Sequence, residues 1–459
     1  MFLNNRGSAK KFLFLSPTRT ITLSFAAVIL LGTLLLMLPI SSRNQEMTSF
    51  LDCIFTATSA TCVTGLVVFD TFTHWSIFGQ TVILCLIQIG GLGLVTLTVF
   101  FNIAIGRKLG LRGMHLAQES VSSIDSDVQF LVKIVIVTAL VVELIGALVL
   151  MTVFVPKYGT DGIYISIFLS ISAFCNAGFD VLGREAPFVS LTNYNNHPTV
   201  LITIGLLIII GGIGFIVIHD IIAAHKNRRQ LTLHTRIVLV ITGVLLVLGM
   251  LITALLEWNN PETLGALSTP GQKLLASWFH SVSCRTAGFN TISIERLHDI
   301  TKFLSSLLMF IGAAPGSTGG GIKCTTAAVI FMTVYCVIRG NEDTTIFHRR
   351  VLKNAVYKSF AVGILGGLAV SITTVCIIVT MKNTHAISGI DALFESVSAF
   401  ATVGLSSGVT SVANTLSKLL LIFSMYIGRL GPVTFFLALA MRPKANRREI
   451  LPEGKIQIG

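Results

Sequence analysis

The chain has 459 residues, of which 53% are hydrophobic and only 12% are charged, and its formal net charge is +12. Globular domains carry about 25% charged residues, so this composition excludes a soluble enzyme and indicates an integral membrane protein. The positive charge would suit a nucleic-acid surface only if it were clustered on a folded domain.

The N-terminal stretch 1–19 is basic and precedes an apolar run at 21–40, "ITLSFAAVILLGTLLLMLPI". A helix needs about 20 apolar residues to cross the hydrocarbon core of a membrane. This run is longer than the apolar region of about 7 to 15 residues in a secretory signal, and no small-residue cleavage site follows it. We therefore predict a retained first membrane span.

The Lys and Arg residues are concentrated in five short segments along the chain. These segments are the N-terminus 1–19 and residues 106–115, 226–236, 339–358 and 442–459. By the positive-inside rule all five are predicted to be cytoplasmic, both termini included, with an even number of crossings between them. Membrane topology thus explains the net charge, and no nucleic-acid partner is expected.

Between consecutive basic segments, two long apolar runs flank a shorter one, and this arrangement occurs four times. The predicted units are repeat 1 (20–115), repeat 2 (116–235), repeat 3 (236–340) and repeat 4 (341–441), and their short runs lie at 50–60, 163–174, 274–284 and 391–400. Each short run would be about 15 to 18 Å long as a helix, against a core of about 30 Å. It can enter the membrane but cannot cross it.

A segment that enters halfway must return to the same side, and its non-helical return must be buried in protein or line a water-filled path. The predicted fold is therefore an all-α integral membrane protein in the cytoplasmic membrane. It would have four tandem helix–pore loop–helix repeats, with eight transmembrane helices and four re-entrant pore helices around one pseudo-fourfold pore.

The four pore loops align at a glycine and read "SATCVTGL" (59–66), "SAFCNAGF" (172–179), "SCRTAGF" (283–289) and "SAFATVGL" (398–405). Four half-length helices ending at one axis would direct their negative dipole ends toward a cation. The backbone carbonyls that follow could replace the hydration shell of that cation, and glycine permits the backbone angles required. With no carboxylate ring, a monovalent cation is favoured. The candidate filter residues are Val63, Thr64, Gly65, Asn176, Ala177, Gly178, Thr286, Ala287, Gly288, Thr402, Val403 and Gly404.

These loops and repeats resemble the Trk/Ktr/HKT superfamily of potassium transporters. Eight predicted spans with no extra N-terminal pair are most similar to the bacterial Ktr membrane subunit. The resemblance implies potassium uptake, and Gly65 at the first filter implies selectivity for potassium over sodium. It also implies a homodimer and a cytoplasmic ring of nucleotide-binding, KtrA-type regulatory subunits. Potassium is then the substrate, sodium a candidate activator, and no cofactor is expected in this chain.

A second glycine pattern follows each filter: "IGGLG" (89–93), "IGGIG" (210–214), "IGAAPGSTGGGIK" (311–323) and "IGRLG" (427–431). Three copies suit close helix packing, whereas the third contains residues that will not continue a helix. It lacks the Gly-Lys-Ser/Thr ending of a phosphate loop. The resemblance implies that residues 312–325 form a gating loop beneath the filter. The candidate gate residues are Gly312, Pro315, Gly316, Gly319, Gly320, Gly321, Lys323 and Arg429.

Four further polar residues lie in apolar surroundings. Arg429 must face the protein interior, either as part of the gate or as a structural bridge to loop carbonyls. Glu143 is expected to have a structural partner rather than to relay protons, because no second intramembrane carboxylate accompanies it. Arg285 and Cys175 are expected to shape the wall behind the ion.

Two other classes of function are weaker alternatives. A secondary transporter would couple a solute to an ion at a site near the membrane midplane, but such proteins more often have two inverted repeats. A membrane-embedded enzyme would need catalytic or metal-binding spacing among its His and carboxylate residues, and the sequence contains none. The eight cysteines include no Cys-x-x-Cys pair and predict neither disulfides nor zinc.

Overall fold

The computed structural model describes residues 17–93, Thr96, 128–382 and 387–439. The basic segments 106–115 and 442–459, the N-terminal stretch 1–16, and the end of the second span of repeat 1 lie outside these residues. The described chain is almost entirely helical. Its helices are α1 (Pro17–Leu36), α2 (Phe50–Cys62), α3 (Thr71–His74), α4 (Ile77–Leu92), α5 (Val128–Tyr158), α6 (Asp161–Phe174), α7 (Pro198–Ile213), α8 (Phe215–Asn227), α9 (Leu233–Glu257), α10 (Pro270–Ser283), α11 (Asp299–Phe310), α12 (Cys324–Ile338), α13 (Lys353–Met381), α14 (Gly389–Ala401), α15 (Val409–Val412), α16 (Thr415–Leu430) and α17 (Pro432–Leu439).

Helices α1, α5, α9 and α13 are each long and apolar enough to cross a membrane. They expose large apolar side chains, such as Leu31, Leu144 and Leu255, at 60%, 60% and 79% of their surface. Exposed leucines in such number would be unfavourable in water but are suited to lipid. These helices form the outer wall of a multi-pass membrane protein. A two-stranded hairpin, β1 (Thr345–Ile346) and β2 (Arg349–Arg350), precedes α13.

Two further apolar stretches, each long enough for a span when taken together, consist of bent helix pairs. Helices α7 and α8 meet at 90°, and α16 and α17 meet at 100°. The bends occur at Gly214 (φ +96°) and Gly431 (φ +85°), and α4 ends in the same way at Gly93 (φ +83°). Only glycine adopts these angles without strain. The interruption predicted for repeat 3 is therefore not confined to it, because the final glycine of the other three patterns also ends a helix.

The break in repeat 3 is the longest. Helix α11 ends at Phe310 and α12 begins at Cys324, so the whole stretch 311–323 lies outside any helix. The interruption coincides with the Gly/Pro-rich stretch in which helix breaking was predicted. Ile311 and Ile322 pair across its base in a parallel bridge, which closes the segment into a loop.

The four half-length helices α2, α6, α10 and α14 have 13, 14, 14 and 13 residues, close to the short runs predicted from the sequence. Ser49, Thr269 and Ser388 cap three of them by accepting a hydrogen bond from a backbone N–H in the first turn. Each helix packs against the long helix before it. Each also packs against a helix of another unit, in the pairs α16 with α2, α4 with α6, α7 with α10, and α11 with α14. The four helices thus form a closed circle.

Each half-length helix contributes a fully buried phenylalanine at an equivalent position to the core behind its loop. In units 1, 2 and 4 this residue lies ten positions before the loop glycine. In unit 3 it lies nine positions before it, because that loop is one residue shorter. The four phenylalanines are Phe55, Phe168, Phe279 and Phe394. The core therefore lies around the loops, between them and the outer wall.

Candidate functional site

The four loops share an unusual backbone conformation. In each, two residues adopt positive φ with one residue between them. The pairs are Val63 (+58°) and Gly65 (+95°), Asn176 (+60°) and Gly178 (+71°), Thr286 (+66°) and Gly288 (+81°), and Thr402 (+51°) and Gly404 (+92°). Positive φ is uncommon for non-glycine residues and a true outlier for the β-branched Val63 and the two threonines. Strain of this kind costs about 1 to 3 kcal/mol per residue and clusters at functional sites.

The loop glycines contact one another around a closed ring. A methyl group placed on each would lie too close to the carbonyl oxygen that precedes the glycine of the next loop. The contacts run in cyclic order: Gly65 to Ala177 O (2.5 Å), Gly178 to Ala287 O (2.8 Å), Gly288 to Val403 O (2.8 Å) and Gly404 to Thr64 O (2.2 Å). The sequence-predicted filter residues are therefore brought together in one ring of backbone carbonyls.

A buried serine behind each loop fixes its shape. The hydroxyls of Ser59 and Ser398 accept hydrogen bonds from the N–H groups of Gly65 and Gly404, both at 3.1 Å. In the other two loops the serine donates instead. Ser172 donates to the carbonyl of Phe179 (2.6 Å) and Ser283 to that of Phe289 (2.5 Å). These are the serines that begin each loop motif in the sequence.

The mouth of the ring opens into a cavity of about 370 Å³ that is lined by all four loop glycines. Three carboxylates, those of Asp70, Asp180 and Glu295, also line it. Asp180 accepts a hydrogen bond from the N–H of Leu182 (3.0 Å). A recess lined by one sign of charge raises the local concentration of counter-ions, so this vestibule attracts cations.

The opposite end of the ring is covered by the non-helical segment of repeat 3. Added methyl groups on Gly319 and Gly320 would each lie 2.2 Å from a threonine hydroxyl, those of Thr286 and Thr402. Thr318 donates from its hydroxyl to the carbonyl of Phe174 at 3.2 Å. The segment thus lies directly against three of the four loops.

The segment is also joined to the neighbouring helix break. The N–H of Ala314 donates to the carbonyl of Gly212 (3.0 Å), and the N–H of Phe215 donates to that of Gly316 (3.1 Å). The carbonyl of Pro315 lies 2.8 Å from a methyl group placed on Gly214. At its base, the N–H of Gly312 donates to the carbonyl of Ile322 (2.8 Å). The bend between α7 and α8 therefore supports the segment.

Three basic residues, the buried Arg285 and the half-buried Lys323 and Arg429, hold the segment through its backbone carbonyls. Lys323 donates to Gly319 O (2.7 Å), and Arg285 donates to Ile311 O (3.0 Å). Arg429 donates to Thr318 O, and on its other side to Gly90 O and Gly91 O at the end of α4. No carboxylate pairs with these three residues in the part of the chain that the structure describes. Each candidate gate residue thus lies on the segment or contacts it, and Gly321 also joins the segment to α16 through Gly428 O.

The glycines at the start of the second pattern let the helices approach the pore-helix ends. Methyl groups on Gly90, Gly211 and Gly428 would lie within 2.0 Å of the carbonyl oxygens of Thr61, Phe174 and Phe400. This is the close packing that the sequence suggested for these copies. These contacts place Arg429, next to Gly428, at the level of the filter ends.

The wall behind the second loop contains Glu143. Gln88 donates to both of its carboxylate oxygens at 3.1 Å, and the thiol of Cys175 lies 3.5 Å from the amide oxygen of Gln88. Ser170 donates to the backbone carbonyl of Glu143 (2.6 Å). This arrangement agrees with a structural role for Glu143 and with the location of Cys175 behind the ring.

The sequence reasoning missed two groups of residues. The vestibule carboxylates closely follow three of the loop glycines in the sequence, a signal that could have identified them. Gln88 and Thr318 carried no signal, because an isolated amide or hydroxyl in an apolar helix or loop is common. No group of three His, Cys, Asp or Glu residues that could hold a metal ion occurs within the described ranges.

On the vestibule side, Glu185 in the connection between α6 and α7 is fixed by three neighbours. Lys157 donates to it at 2.5 Å, Tyr158 at 2.6 Å and Asn193 at 2.7 Å. These bonds, that from Lys157 first, lower the pKa of Glu185 to about 2. The cluster keeps the outer end of α5 attached to the loop that leaves the second filter.

Comparison with known proteins identifies the family. The model of the TrkH family, described as cation transport proteins, matches residues 5–450. The chain is 40% identical over 453 residues to the Ktr system potassium uptake protein B of Bacillus subtilis, covering 98% of both chains. It is 36% identical over 451 residues to the potassium/sodium uptake protein NtpJ of Enterococcus hirae, covering 97% of this chain and 98% of the relative.

The fold is similar to the crystal structure of the potassium transporter TrkH from Vibrio parahaemolyticus, with a TM-score of 0.70 and 18% identity over 95% of this chain and 86% of that one. The resemblance predicted from the four loops is thereby confirmed, and so is the prediction that the protein is not an enzyme. The chain belongs to the TrkH family of cation transport proteins.

Proposed function

We propose that the protein carries potassium into the cell through the ring of four loops, which acts as a selectivity filter with one glycine per repeat. In this proposal the units 20–115, 116–235, 236–340 and 341–441 are four tandem repeats with eight membrane crossings, and both termini are cytoplasmic. The relatives are potassium uptake proteins by name, one of them for sodium as well.

The observation that carries the proposal is the closed ring of backbone carbonyls between an acidic vestibule and a covering segment. Carbonyl oxygens held at fixed spacing can substitute for the hydration shell of a monovalent cation. The contacts of 2.2 to 2.8 Å at the four glycines leave no room for a side chain in the ring. Selection would therefore depend on backbone geometry.

The segment 312–325, together with Arg429, is the proposed gate. It covers the end of the ring opposite the vestibule, and its carbonyls rather than its side chains are held by Lys323, Arg285 and Arg429. Hydrogen bonds of this kind can be exchanged for water when the segment moves. The proposed assembly is a homodimer on a cytoplasmic ring of nucleotide-binding, KtrA-type subunits, with sodium as a candidate activator.

The test is Gly65→Ser, compared with Gly243→Ser as a matched control. At Gly65 the backbone φ is +95°, and an added methyl group would lie 2.5 Å from Ala177 O. Nothing lies within 4 Å of a methyl group added to Gly243. In cells deficient in potassium uptake, we expect Gly65→Ser to lower the preference for potassium over sodium at least about tenfold, or roughly 1.4 kcal/mol. The control should keep it. An unchanged preference in a correctly inserted Gly65→Ser protein would contradict the filter assignment.

The alternative is a secondary transporter that couples a solute to an ion. The bends at Gly214 and Gly431 are a feature that such transporters share. Purified protein in vesicles distinguishes the two, since a pore passes potassium down its gradient alone. Flux that requires a second solute at fixed stoichiometry would favour the alternative.

A further inference from the structure

Three of the four junctions between units are closed by a polar side-chain pair at the start of a pore helix. Lys418 of α16 bridges to Asp52 of α2 at 2.7 Å, and Lys302 of α11 bridges to Asp391 of α14 at 2.7 Å. Before α7, the side chain of Asn196 accepts from that of Gln272 in α10. In each pair the pore-helix partner is the third residue of its helix.

The junction between α4 and α6 has no such pair. The third residue of α6 is Ile163, which is 43% exposed. The fourth residue of α4, at the position of the two lysines, is Gln80. Its amide donates instead to the carbonyls of Trp75 (2.9 Å) and Thr71 (3.4 Å) within its own unit. The positions that bridge the other junctions therefore form no pair here, although Tyr164 of α6 approaches Thr81 of α4 one residue further along each helix.

A cavity of about 1040 Å³ occupies this junction. Its apolar wall includes Ile40, Ile77 and Phe78, which are 61%, 71% and 40% exposed. Apolar residues so exposed on a membrane protein face lipid. The cavity thus opens sideways toward the membrane, on the side of the molecule that carries the vestibule.

Two arginines line the polar end of the same cavity. The guanidinium of Arg43 lies 4.1 Å from the centre of the Phe72 ring and that of Arg184 lies 5.7 Å from it, so both charges converge on one aromatic side chain. Arg184 is paired with Asp161 at 2.7 Å. Arg43 has no carboxylate partner among residues 17–93, 128–382 and 387–439. The polar end therefore retains a net positive charge.

We propose that this cavity binds an anionic phospholipid, with its phosphate on Arg43 and Arg184 and an acyl chain along Ile40, Ile77 and Phe78. Guanidinium groups bind phosphate in a fork geometry, and the exposed apolar wall beside them suits an acyl chain. The lipid would fill the one junction that, in the described part of the protein, lacks a polar pair at these helix positions.

The experiment uses the purified, delipidated full chain and the double variant Arg43→Gln/Arg184→Gln. The matched control is Arg296→Gln, since Arg296 is exposed and pairs with Glu262 at 2.8 Å much as Arg184 pairs with Asp161. Phosphatidylglycerol, phosphatidylcholine and inorganic phosphate are added separately. Lipid retention by native mass spectrometry and the melting temperature are measured.

We expect phosphatidylglycerol to be retained by the wild type and the control, and to raise their melting temperature by several degrees. The double variant should bind it about tenfold more weakly. Phosphatidylcholine and inorganic phosphate should have small effects. If the double variant folds poorly, Arg43→Lys, which keeps the charge but loses the fork, should show intermediate retention.

Two results would overturn the proposal. One is equal retention of phosphatidylglycerol by the double variant and the wild type. The other is a change of oligomeric state in the double variant with no change in lipid retention, which would assign the cavity to a second copy of the chain.

Discussion

The ring of four loops and the layer of helix breaks beneath it are both built on recurring glycines, but they depart from fourfold regularity to different degrees. In the ring, every loop has the same pair of positive φ values and the same contact to its neighbour. In the layer beneath, the breaks at Gly214 and Gly431 are single glycines, α4 ends at Gly93, and the break in repeat 3 is the whole stretch 311–323. A closed ring requires four equal members, whereas only one segment can cover a common axis without colliding with its copies.

The comparison also explains where the charges lie. The ring itself contains only backbone and small side chains, and Arg285, Lys323 and Arg429 all contact the irregular segment. A positive charge among the filter carbonyls would repel a cation, but a positive charge that holds the covering segment by its carbonyls affects only whether the path is covered. The regular ring is thus the proposed selectivity filter, and the irregular segment is the proposed gate.

The largest effect on potassium uptake is expected when a side chain is added to a loop glycine in the ring. In Gly404→Ala the new methyl group would lie 2.2 Å from Thr64 O at φ of +92°, which cannot be relieved without moving the first loop. Potassium uptake should fall to less than about a tenth of the wild-type rate. Uptake is measured in cells and normalised to the amount of protein in the membrane.

The control for this variant is Gly367→Ala in α13, where nothing lies within 4 Å of the added methyl group. It should keep wild-type uptake. Because the ring is regular, Gly65→Ala, Gly178→Ala and Gly288→Ala should be as severe as Gly404→Ala. A single loop glycine that tolerates alanine would show that the four loops are not equivalent.

The second-largest effect, a change in potassium flux, is expected from a deletion in the irregular layer. Deletion of residues 316–321 removes Gly319 and Gly320, which lie against Thr286 and Thr402. Potassium flux through purified protein in vesicles should rise several-fold, because the end of the ring is uncovered, while the preference for potassium stays. Ser317→Ala removes only a hydroxyl that donates to Ala314 O and should leave the flux unchanged. A folded deletion variant with wild-type flux would remove the segment from the gate.

Arg429→Gln is expected to raise the potassium flux by less than the deletion does. Arg429 joins Thr318 in the segment to the end of α4 at Gly90 and Gly91, and glutamine is too short to reach both. Of the three basic residues that hold the segment, only Lys323 and Arg285 would then remain. Flux should increase about two- to fivefold, since a charged hydrogen bond contributes roughly 1.5 to 3 kcal/mol and part of it is replaced by water. Arg339→Gln, an exposed arginine that packs on Tyr335, is the control. Reduced flux would instead make Arg429 a purely structural bridge.

The regular part of the molecule could be predicted from the sequence. Half-length apolar runs and loop glycines recur at a nearly constant interval along the chain, and repetition identifies positions that a single Gly would not. The structure brings together all twelve residues predicted for the ring. What repetition cannot give is the conformation of each copy. The bends at Gly214 and Gly431 were missed because Ile-Gly-Gly in an apolar run is equally compatible with a straight, closely packed helix.

The irregular contacts were beyond prediction for a different reason. Arg429 was expected to find partners inside the protein, but its carbonyl acceptors at Gly90 and Thr318 lie 339 and 111 residues away. The partner of Glu143, Gln88, comes from another unit. Such pairs depend on how the units are arranged in the circle, and that arrangement is not encoded in any local pattern.

The smallest effect is expected at the vestibule, which is itself irregular. Asp70, Asp180 and Glu295 follow the first three loop glycines, whereas the fourth loop continues with serines. Asp180→Asn keeps an oxygen that can accept from Leu182. Burial raises the pKa of the Asp180 carboxyl to about 7, so the substitution removes a full negative charge only above that pH, where uptake is compared. Uptake at low potassium concentration should fall about two- to fivefold, and the difference should disappear at high ionic strength, where the Debye length is only about 3 Å. Asp299→Asn, at the start of α11 and outside the vestibule, should have no effect. If the uptake deficit instead persists in high salt, or if the preference for potassium over sodium changes, Asp180 contributes to the ring itself. The boundary between the regular ring and its irregular surroundings would then lie further out than the four glycines.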